Sequence, residues 1–92
     1  MNVTKRDIEA LSIISTFLDE NRYAITTREL GAAMGVTSSS TTHERIVKLR
    51  KMGLLDFNDG ERRTIHLTDT GHSALTIEQV FGIMGGDRNA PA

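Results

Sequence analysis

The sequence contains no cysteine and no tryptophan, and it has one proline. The lack of cysteine excludes disulfide bonds, thiolate zinc sites and cysteine nucleophiles. No apolar run reaches the roughly 18–20 residues that a membrane-spanning helix needs, and the start, MNVTKRDIEA, lacks the apolar stretch of a secretory signal. With 92 residues, the chain has room for one domain. We therefore expect a soluble, cytoplasmic protein without a membrane partner.

The chain also lacks an excess of positive charge. Eleven Lys and Arg residues against twelve Asp and Glu residues give a net charge of −1. Taken alone, this value argues against a nucleic-acid partner, because proteins that bind phosphates are usually basic. The charge is unevenly distributed, however, since residues 37–53 hold four basic residues and one acidic residue, a local charge of +3. Positive charge is therefore concentrated in one segment.

Motifs for catalysis are missing as well. The chain has no glycine-rich loop for phosphate, and no acidic residues paired with histidine at metal-ligand spacing. His43, His66 and His72 are too scattered along the chain for a metal site. We therefore expect no enzymatic activity, no metal and no cofactor.

Two helix starts are marked by capping residues. Thr4 is the expected N-cap of a first helix that runs to about Glu20, with apolar residues at helical spacing. Thr26 and Glu29 form a capping-box pattern for a second helix, and Gly35 is well placed to end it.

A third helix is expected to follow a run of six hydroxyl-bearing residues, 37–42, and to end at Gly53. Ser and Thr are mediocre helix formers, because their side chains compete for backbone hydrogen bonds. The run is therefore either the functional front of the helix or a loop before a helix that starts near Thr41. In the second case, Glu44 is also readable as the capping partner of Thr41.

The remaining pattern predicts short strands and a last helix. Residues 23–25 read as a short extended segment, and residues 54–57 and 64–67 as two strands of a hairpin around an Asp-Gly turn signal. This order predicts a mainly α fold with a small β hairpin: a winged helix-turn-helix with a three-helix core, a wing and a C-terminal helix. We expect this domain to cover residues 1–84, and residues 85–92 to be a flexible tail.

Two stretches resemble known families. TTRELGAAMGVTSSSTTHERIVKLRKMGLL is similar to the helix-turn-helix of the LexA repressor's N-terminal DNA-binding domain, through its Thr-capped helix, Ser-rich helix start and Lys-x-Gly-hydrophobe-hydrophobe ending. GLLDFNDGERRTIHLTDTG resembles the wing of MarR-type transcriptional regulators, with an acid and arginines before a strand that ends in Leu-Thr-x-x-Gly. The resemblance spans about residues 4–75. It implies a sequence-specific regulator of double-stranded DNA, a repressor. The small size and minimal architecture suit a prokaryotic or phage-encoded protein, which we expect to be associated with the nucleoid.

The resemblance also has limits. MarR-type proteins usually have longer terminal helices that form their dimer and ligand pocket, so we do not expect a small-molecule effector. The length of the chain leaves no space for the self-cleaving protease domain of LexA, so self-cleavage is not expected either.

In a helix-turn-helix, the front of the third helix enters the major groove. Short hydroxyl side chains allow close approach and can bond to base edges or phosphates. With Thr42, Ile46 and Leu49 facing inward, the outward pattern favours Ser40, His43 and Glu44 for base contacts. The LexA resemblance extends this set to Ser38, Ser40, Thr41, His43 and Glu44. The expected DNA-backbone contacts are Thr27, Arg28, Ser39, Lys48 and Lys51, and the expected wing contacts are Arg62 and Arg63, of which strand alternation lets one reach bases.

Two questions stay open at this level. One face of the last helix carries Ala74, Ile77, Phe81 and Met84, which either form a homodimer contact or pack on the first helix. We expect a homodimer on a palindromic site. The alternative function is a winged-helix module for protein–protein contact, which the net charge of −1 favours, whereas the local positive charge favours DNA.

Overall fold

The computed structural model describes residues 2–81, and residues 2–80 with their side chains. Its elements follow in the order α1 (Lys5–Asn21), α2 (Thr27–Ala33), α3 (Ser39–Lys51), β1 (Leu55–Asp56), β2 (His66–Leu67) and α4 (Asp69–Phe81). The predicted winged helix-turn-helix is confirmed, with α2 and α3 as the helix-turn-helix and the β1–β2 hairpin as the wing. The domain limit at residue 84 and the expected tail at 85–92 lie outside the described residues.

Both predicted capping boxes are present. The Thr4 N–H donates to Asp7 Oδ2 at 2.9 Å, and the Asp7 N–H donates to Thr4 Oγ1 at 3.1 Å. The same reciprocal pair joins Thr26 and Glu29 at 3.0 and 3.1 Å. Such a cap stabilises a helix by about 1 kcal/mol, because it satisfies N–H groups that have no partner within the helix. These caps fix where α1 and α2 begin.

The hydroxyl run belongs to α3. Ser38 is the N-cap, and its Oγ accepts a hydrogen bond from the Thr41 N–H at 3.4 Å. The alternative of a loop before a helix that starts near Thr41 is therefore wrong, and so is a capping role for Glu44. Thr42 is buried, and a Cβ added at Gly31 of α2 would lie 2.8 Å from its hydroxyl oxygen, so the missing side chain allows α2 and α3 to pack closely.

The wing is shorter in regular structure than predicted. β1 and β2 pair antiparallel, with Leu55 opposite Leu67 and Asp56 opposite His66. The short extended segment predicted at residues 23–25 does not form a strand, since β1 and β2 are the strands found between residues 2 and 81. The Ala24 carbonyl instead accepts a hydrogen bond from an arginine of the wing.

A single core lies between the helices and the hairpin. Its buried apolar members come from every element or its flanks: Ala10, Leu11, Ile14, Ile25, Leu30, Met34, Ile46, Leu49, Leu54, Leu55, Ile65, Leu67 and Leu75. None of the helices in residues 2–81 combines the length and the apolar character needed to cross a bilayer.

α4 closes the core through a different face from the one predicted. Leu75 is buried, and a Cβ at Gly71 would lie 1.8 Å from the Leu54 carbonyl oxygen, so the helix start packs directly on the chain that enters the wing. Ala74 is partly buried against the core, whereas Ile77 is exposed. The side chain of Phe81 and all of Met84 lie outside the described residues. Of the four residues on the predicted face, Ala74 therefore packs within the domain, whereas Ile77 stays on the surface.

Candidate nucleic-acid interface

The front of α3 and the start of α2 share one shallow depression. Thr27, Ser39, Ser40, His43 and Glu44 line it, and all except the half-buried Thr27 are exposed. The residues come together because the tight turn after α2, with Gly35 at a φ of +74°, brings the start of α3 beside the start of α2. Predicted base-contact and backbone-contact residues thus occupy one accessible surface.

The other predicted residues of α3 differ in their surroundings. Thr41 is exposed, whereas the Ser38 hydroxyl is engaged in capping the helix. A second depression continues along the outer side of α3 and is lined by His43, Glu44, Val47, Lys48 and Lys51. The accessible surface therefore runs from the front of the helix towards its C-terminal end.

A cleft of about 430 Å³ separates this surface from the wing. Thr27, Arg28 and His43 lie on the helical side, and Arg62 and Arg63 lie on the wing side. Residues that are 35 positions apart in the sequence, such as Thr27 and Arg62, thus border one concave region. The structure brings the wing next to the helix-turn-helix, as the predicted interface requires.

The rear of α3 carries an ion-pair cluster that the sequence did not reveal. The buried carboxylate of Asp7 binds the Arg45 guanidinium at 2.6 Å and the Lys48 ammonium at 2.6 Å. Burial would raise the pKa of Asp7, but the hydrogen bonds from Lys48, from the backbone and hydroxyl of Thr4, and from Arg45 outweigh it and hold this pKa below its ordinary value. Lys48 is one of the residues expected to bind phosphate, yet its ammonium is already bound within the protein.

The sequence shows the charged residues of this cluster but does not show that they pair. Asp7 stands in the first turn of a helix, and Arg45 and Lys48 stand three residues apart on one side of α3. Their pairing depends on the tertiary fold, which brings the first turn of α1 beside α3 and which local patterns do not specify.

Arg50 joins the end of α3 to the wing. Its guanidinium lies 3.0 Å from Asp59 and 3.4 Å from Asp56, and 4.3 Å from the centre of the Phe57 ring. The hydrogen bond to Asp59 raises the pKa of Arg50 above its ordinary value. Arg50 therefore holds the first half of the hairpin against α3.

Arg63 joins the second half of the hairpin to α2. Its guanidinium donates to both carboxylate oxygens of Glu29 at 3.1 Å and to the Ala24 carbonyl at 3.0 Å, and it lies 4.5 Å from the centre of the Tyr23 ring. The hydrogen bond from Arg63, followed by that from the Thr26 N–H, lowers the pKa of Glu29. One carboxylate thus serves both the helix cap and the wing.

These pairs change the charge that the surface presents. Of the basic residues in the segment 37–53, Arg45, Lys48 and Arg50 are ion-paired. Among residues 2–80, the basic side chains on the accessible surface without an ion pair are Arg28, Lys51 and Arg62. The same part of the chain holds no group of three or more acidic or histidine side chains arranged for a metal ion.

Comparisons with known proteins agree with this architecture. The chain resembles, in fold, a mutant of S. aureus MepR, with a TM-score of 0.69 and 17% identity over 90% of this chain and 61% of that one. It also resembles the M. tuberculosis transcriptional regulator MosR, with a TM-score of 0.60 and 23% identity over 91% of this chain and 64% of that one. The winged-helix fold shared with MarR-type regulators is confirmed.

Similarity in sequence is more specific. The chain is 31% identical over 77 residues to the LexA repressor of Pediococcus pentosaceus and 39% identical over 79 residues to that of Leuconostoc mesenteroides. These matches take in 84% of this chain and 37% of each relative, so the chain spans little more than a third of their length. The family model described as the LexA DNA binding domain matches residues 1–64. The chain belongs to the LexA DNA-binding domain family.

Proposed function

We propose that this chain is a sequence-specific, double-stranded DNA-binding transcriptional repressor that acts in the cytoplasm at the nucleoid. The observation that supports this function most strongly is the accessible surface that joins the front of α3, the start of α2 and the wing. The hydroxyl groups at the front of α3 would lie in the major groove, and the wing on the adjacent minor groove or its backbone. The role is one of binding and needs no cofactor.

Base readout is assigned to the front of α3. Ser40, His43 and Glu44 line the same depression and are exposed, so their polar atoms are available to base edges. The Glu44 carboxylate would accept a hydrogen bond from a cytosine amino group. Ser38 and Thr41 flank this set, with the Ser38 hydroxyl also holding the helix start.

Backbone contacts are assigned to the residues that border this front. Arg28 and Lys51 lie on either side of it and have no ion pair within residues 2–80, and the hydroxyls of Thr27 and Ser39 would bond phosphate oxygens. Lys48 has a smaller role in this scheme, since Asp7 already holds its ammonium.

We further propose that the protein binds a palindromic site as a homodimer. One module of this size buries about 600–1,000 Å² on DNA, so useful affinity requires two half-sites. Ile77 and the neighbouring Val80, which is 67% exposed, leave apolar surface on α4. Those two side chains support a dimer contact on this helix. Analytical ultracentrifugation of the protein on its DNA site would contradict the dimer if it found one chain per site.

The DNA-binding function is tested by selection from a randomised duplex pool, followed by sequencing of the bound fraction. We expect the native protein to enrich a palindromic motif. Ser40→Ala/His43→Ala should change or relax that motif, because a lost base contact removes about 1–3 kcal/mol of discrimination. Arg62→Ala should weaken binding to all sequences alike, since a phosphate contact carries no sequence information. Absence of any enrichment at low salt would overturn the proposal and leave a protein–protein module as the use of the fold.

A further inference from the structure

Two adjacent arginines of the wing have opposite surroundings. Arg62 is exposed, and within the described part of the chain neither an ion pair nor a hydrogen bond involves its guanidinium. Arg63 has a positive φ of 59°, and its guanidinium is bound to Glu29, to the Ala24 carbonyl and to the face of Tyr23. Both residues are expected from sequence to act on DNA, and their environments suggest different tasks.

The three hydrogen bonds of Arg63 engage both terminal nitrogens of its guanidinium, which has five N–H donors in all. Its planar guanidinium forms a two-pronged pair with the Glu29 carboxylate, in which both N–H···O distances are 3.1 Å. A DNA phosphate would have to displace this carboxylate before it could bind the same donors. Glu29 is itself held in place, because its Oε1 also accepts from the Thr26 N–H in the capping box.

The wing is tied to the helices at two points of its loop. Asp59, in the Asp-Gly turn, binds Arg50 of α3, and Arg63, four residues later, binds Glu29 of α2. Arg62 lies between these two anchors and borders the cleft together with Arg28 and His43. Fixing both ends of the loop therefore fixes the place from which Arg62 can reach a ligand.

We propose that Arg63 is a positioning residue, which with Glu29 anchors the wing, and that Arg62 is the wing residue that binds the DNA backbone. This division of roles rests on the proposed DNA-binding function. It predicts that the two arginines respond differently to the same substitutions, because a phosphate contact needs only a positive charge, whereas the anchor needs the forked, planar guanidinium.

The test is the salt dependence of binding to the selected DNA site, measured by fluorescence anisotropy. Arg62→Ala should make the log–log slope shallower by about 0.9 per protomer, and Arg62→Lys should retain the native slope. Arg63→Ala and Arg63→Lys should each weaken binding roughly fivefold at every salt concentration without a change in slope, since lysine cannot replace the fork. A slope for Arg63→Ala that falls as it does for Arg62→Ala would overturn the inference.

Glu29→Gln separates the two possible roles of Arg63, because they predict opposite changes in DNA affinity. Glutamine preserves the capping box but removes the charge that holds Arg63. If Arg63 anchors the wing, Glu29→Gln weakens DNA binding, and adding Arg63→Ala to it has little further effect, because the two changes remove one interaction. If Arg63 binds phosphate, Glu29→Gln frees its guanidinium and strengthens binding, which would overturn the inference.

A measurement without DNA separates this inference from the proposed function. The N–H groups of Asn58 and Glu61 form hydrogen bonds within the wing, to Thr64 Oγ1 and the Asn58 carbonyl. Amide hydrogen exchange at these two positions should be faster in Arg63→Lys than in the native protein and unchanged in Arg62→Lys. Unchanged exchange in Arg63→Lys would refute the anchor even in a protein that binds no DNA. If the protein binds no DNA but amide exchange is faster in Arg63→Lys, the proposed DNA-binding function is refuted and the anchoring role of Arg63 stands.

Discussion

The two sides of α3 use their polar residues in opposite ways. On the front, Ser39, Ser40 and His43 are exposed and line a depression shared with α2. On the flanks, Arg45 and Lys48 bind Asp7 of α1, and Arg50 binds the wing. The helix therefore uses most of its positive charge to hold its own position and leaves hydroxyl groups, His43 and the Glu44 carboxylate at its front. A segment's net charge is thus a poor measure of the charge that it presents to a partner.

Helical geometry explains the division. At 100° per residue, Arg45 lies about 40° beyond Leu49, at one edge of the buried stripe, and Arg50 lies about 40° beyond Ile46, at the other edge. Lys48 lies about 60° further out on the Arg45 side and reaches back to the same partner, Asp7. Long basic side chains at such edges reach neighbouring elements while their stems cover apolar surface. Lys51, in contrast, lies near the middle of the outer face and is exposed.

Among the substitutions that test this comparison, Asp7→Ala should have the largest effect on stability. Asp7→Ala eliminates the buried partner of two cations and one half of the capping box of α1. We expect the free energy of unfolding to fall by about 3 kcal/mol, at the lower end for a broken buried ion pair because Arg45 and Lys48 are partly exposed. In a domain of this size, this loss lowers the Tm by about 15 °C. Thermal and urea denaturation followed by circular dichroism measure it.

Glu9→Ala is the matched control, since it removes an acid from the same helix. Glu9 pairs with Arg6 at 2.7 Å, and the two side chains are 44% and 45% exposed. Such a surface pair contributes about 0.5 kcal/mol or less. Equal losses for Asp7→Ala and Glu9→Ala would show that the buried cluster has no special role.

Lowering the pH should reproduce part of the loss of stability expected for Asp7→Ala. Because the folded-state pKa of Asp7 is lowered from its ordinary 3.8, its contribution to stability is fully present above that value and is lost as the pH falls through the folded-state pKa. Stability should therefore be insensitive to this group between about pH 7 and 5 and should decline below about pH 4. In Asp7→Asn, the decline should be shallower, as measured by urea denaturation at a series of pH values. Parallel curves for the two proteins would exclude Asp7 as the source.

The local elements were predictable from sequence, and the partners of charged residues were not. Thr4, Thr26 and Gly35 act through neighbours within a few positions, so their patterns located the helices correctly. The pairs of Asp7 with Arg45 and of Glu29 with Arg63 span 38 and 34 positions. They depend on how the helices and wing pack, which is why the sequence overestimated the cations available to DNA and did not indicate which of the two wing arginines is held within the protein.

Lys48 and Lys51 allow a comparison within one helix. Lys51→Ala should make the salt slope of DNA binding shallower by about 0.9 per protomer and leave stability within about 0.5 kcal/mol. Lys48→Ala should leave the slope unchanged and cost about 1 kcal/mol of stability, since Arg45 still pairs with Asp7. Among residues 2–80, Arg28, Lys51 and Arg62 are the basic residues of the accessible surface without an ion pair, so the native slope should be about −3 per protomer. An equal change in slope for both variants would show that DNA draws Lys48 away from Asp7.

The smallest effect is expected at the front itself, where two neighbouring serines differ in their contacts. Ser38 accepts the Thr41 N–H at 3.4 Å, a long hydrogen bond, so Ser38→Ala should cost about 0.5–1 kcal/mol in thermal denaturation. The side chain of Ser39 is exposed at the first helical position, and Ser39→Ala should leave stability unchanged within about 0.5 kcal/mol while weakening DNA binding. If Ser39→Ala altered stability as much as Ser38→Ala and left binding intact, the front of α3 would be a structural cap, and its hydroxyl groups would have no part in contacting DNA.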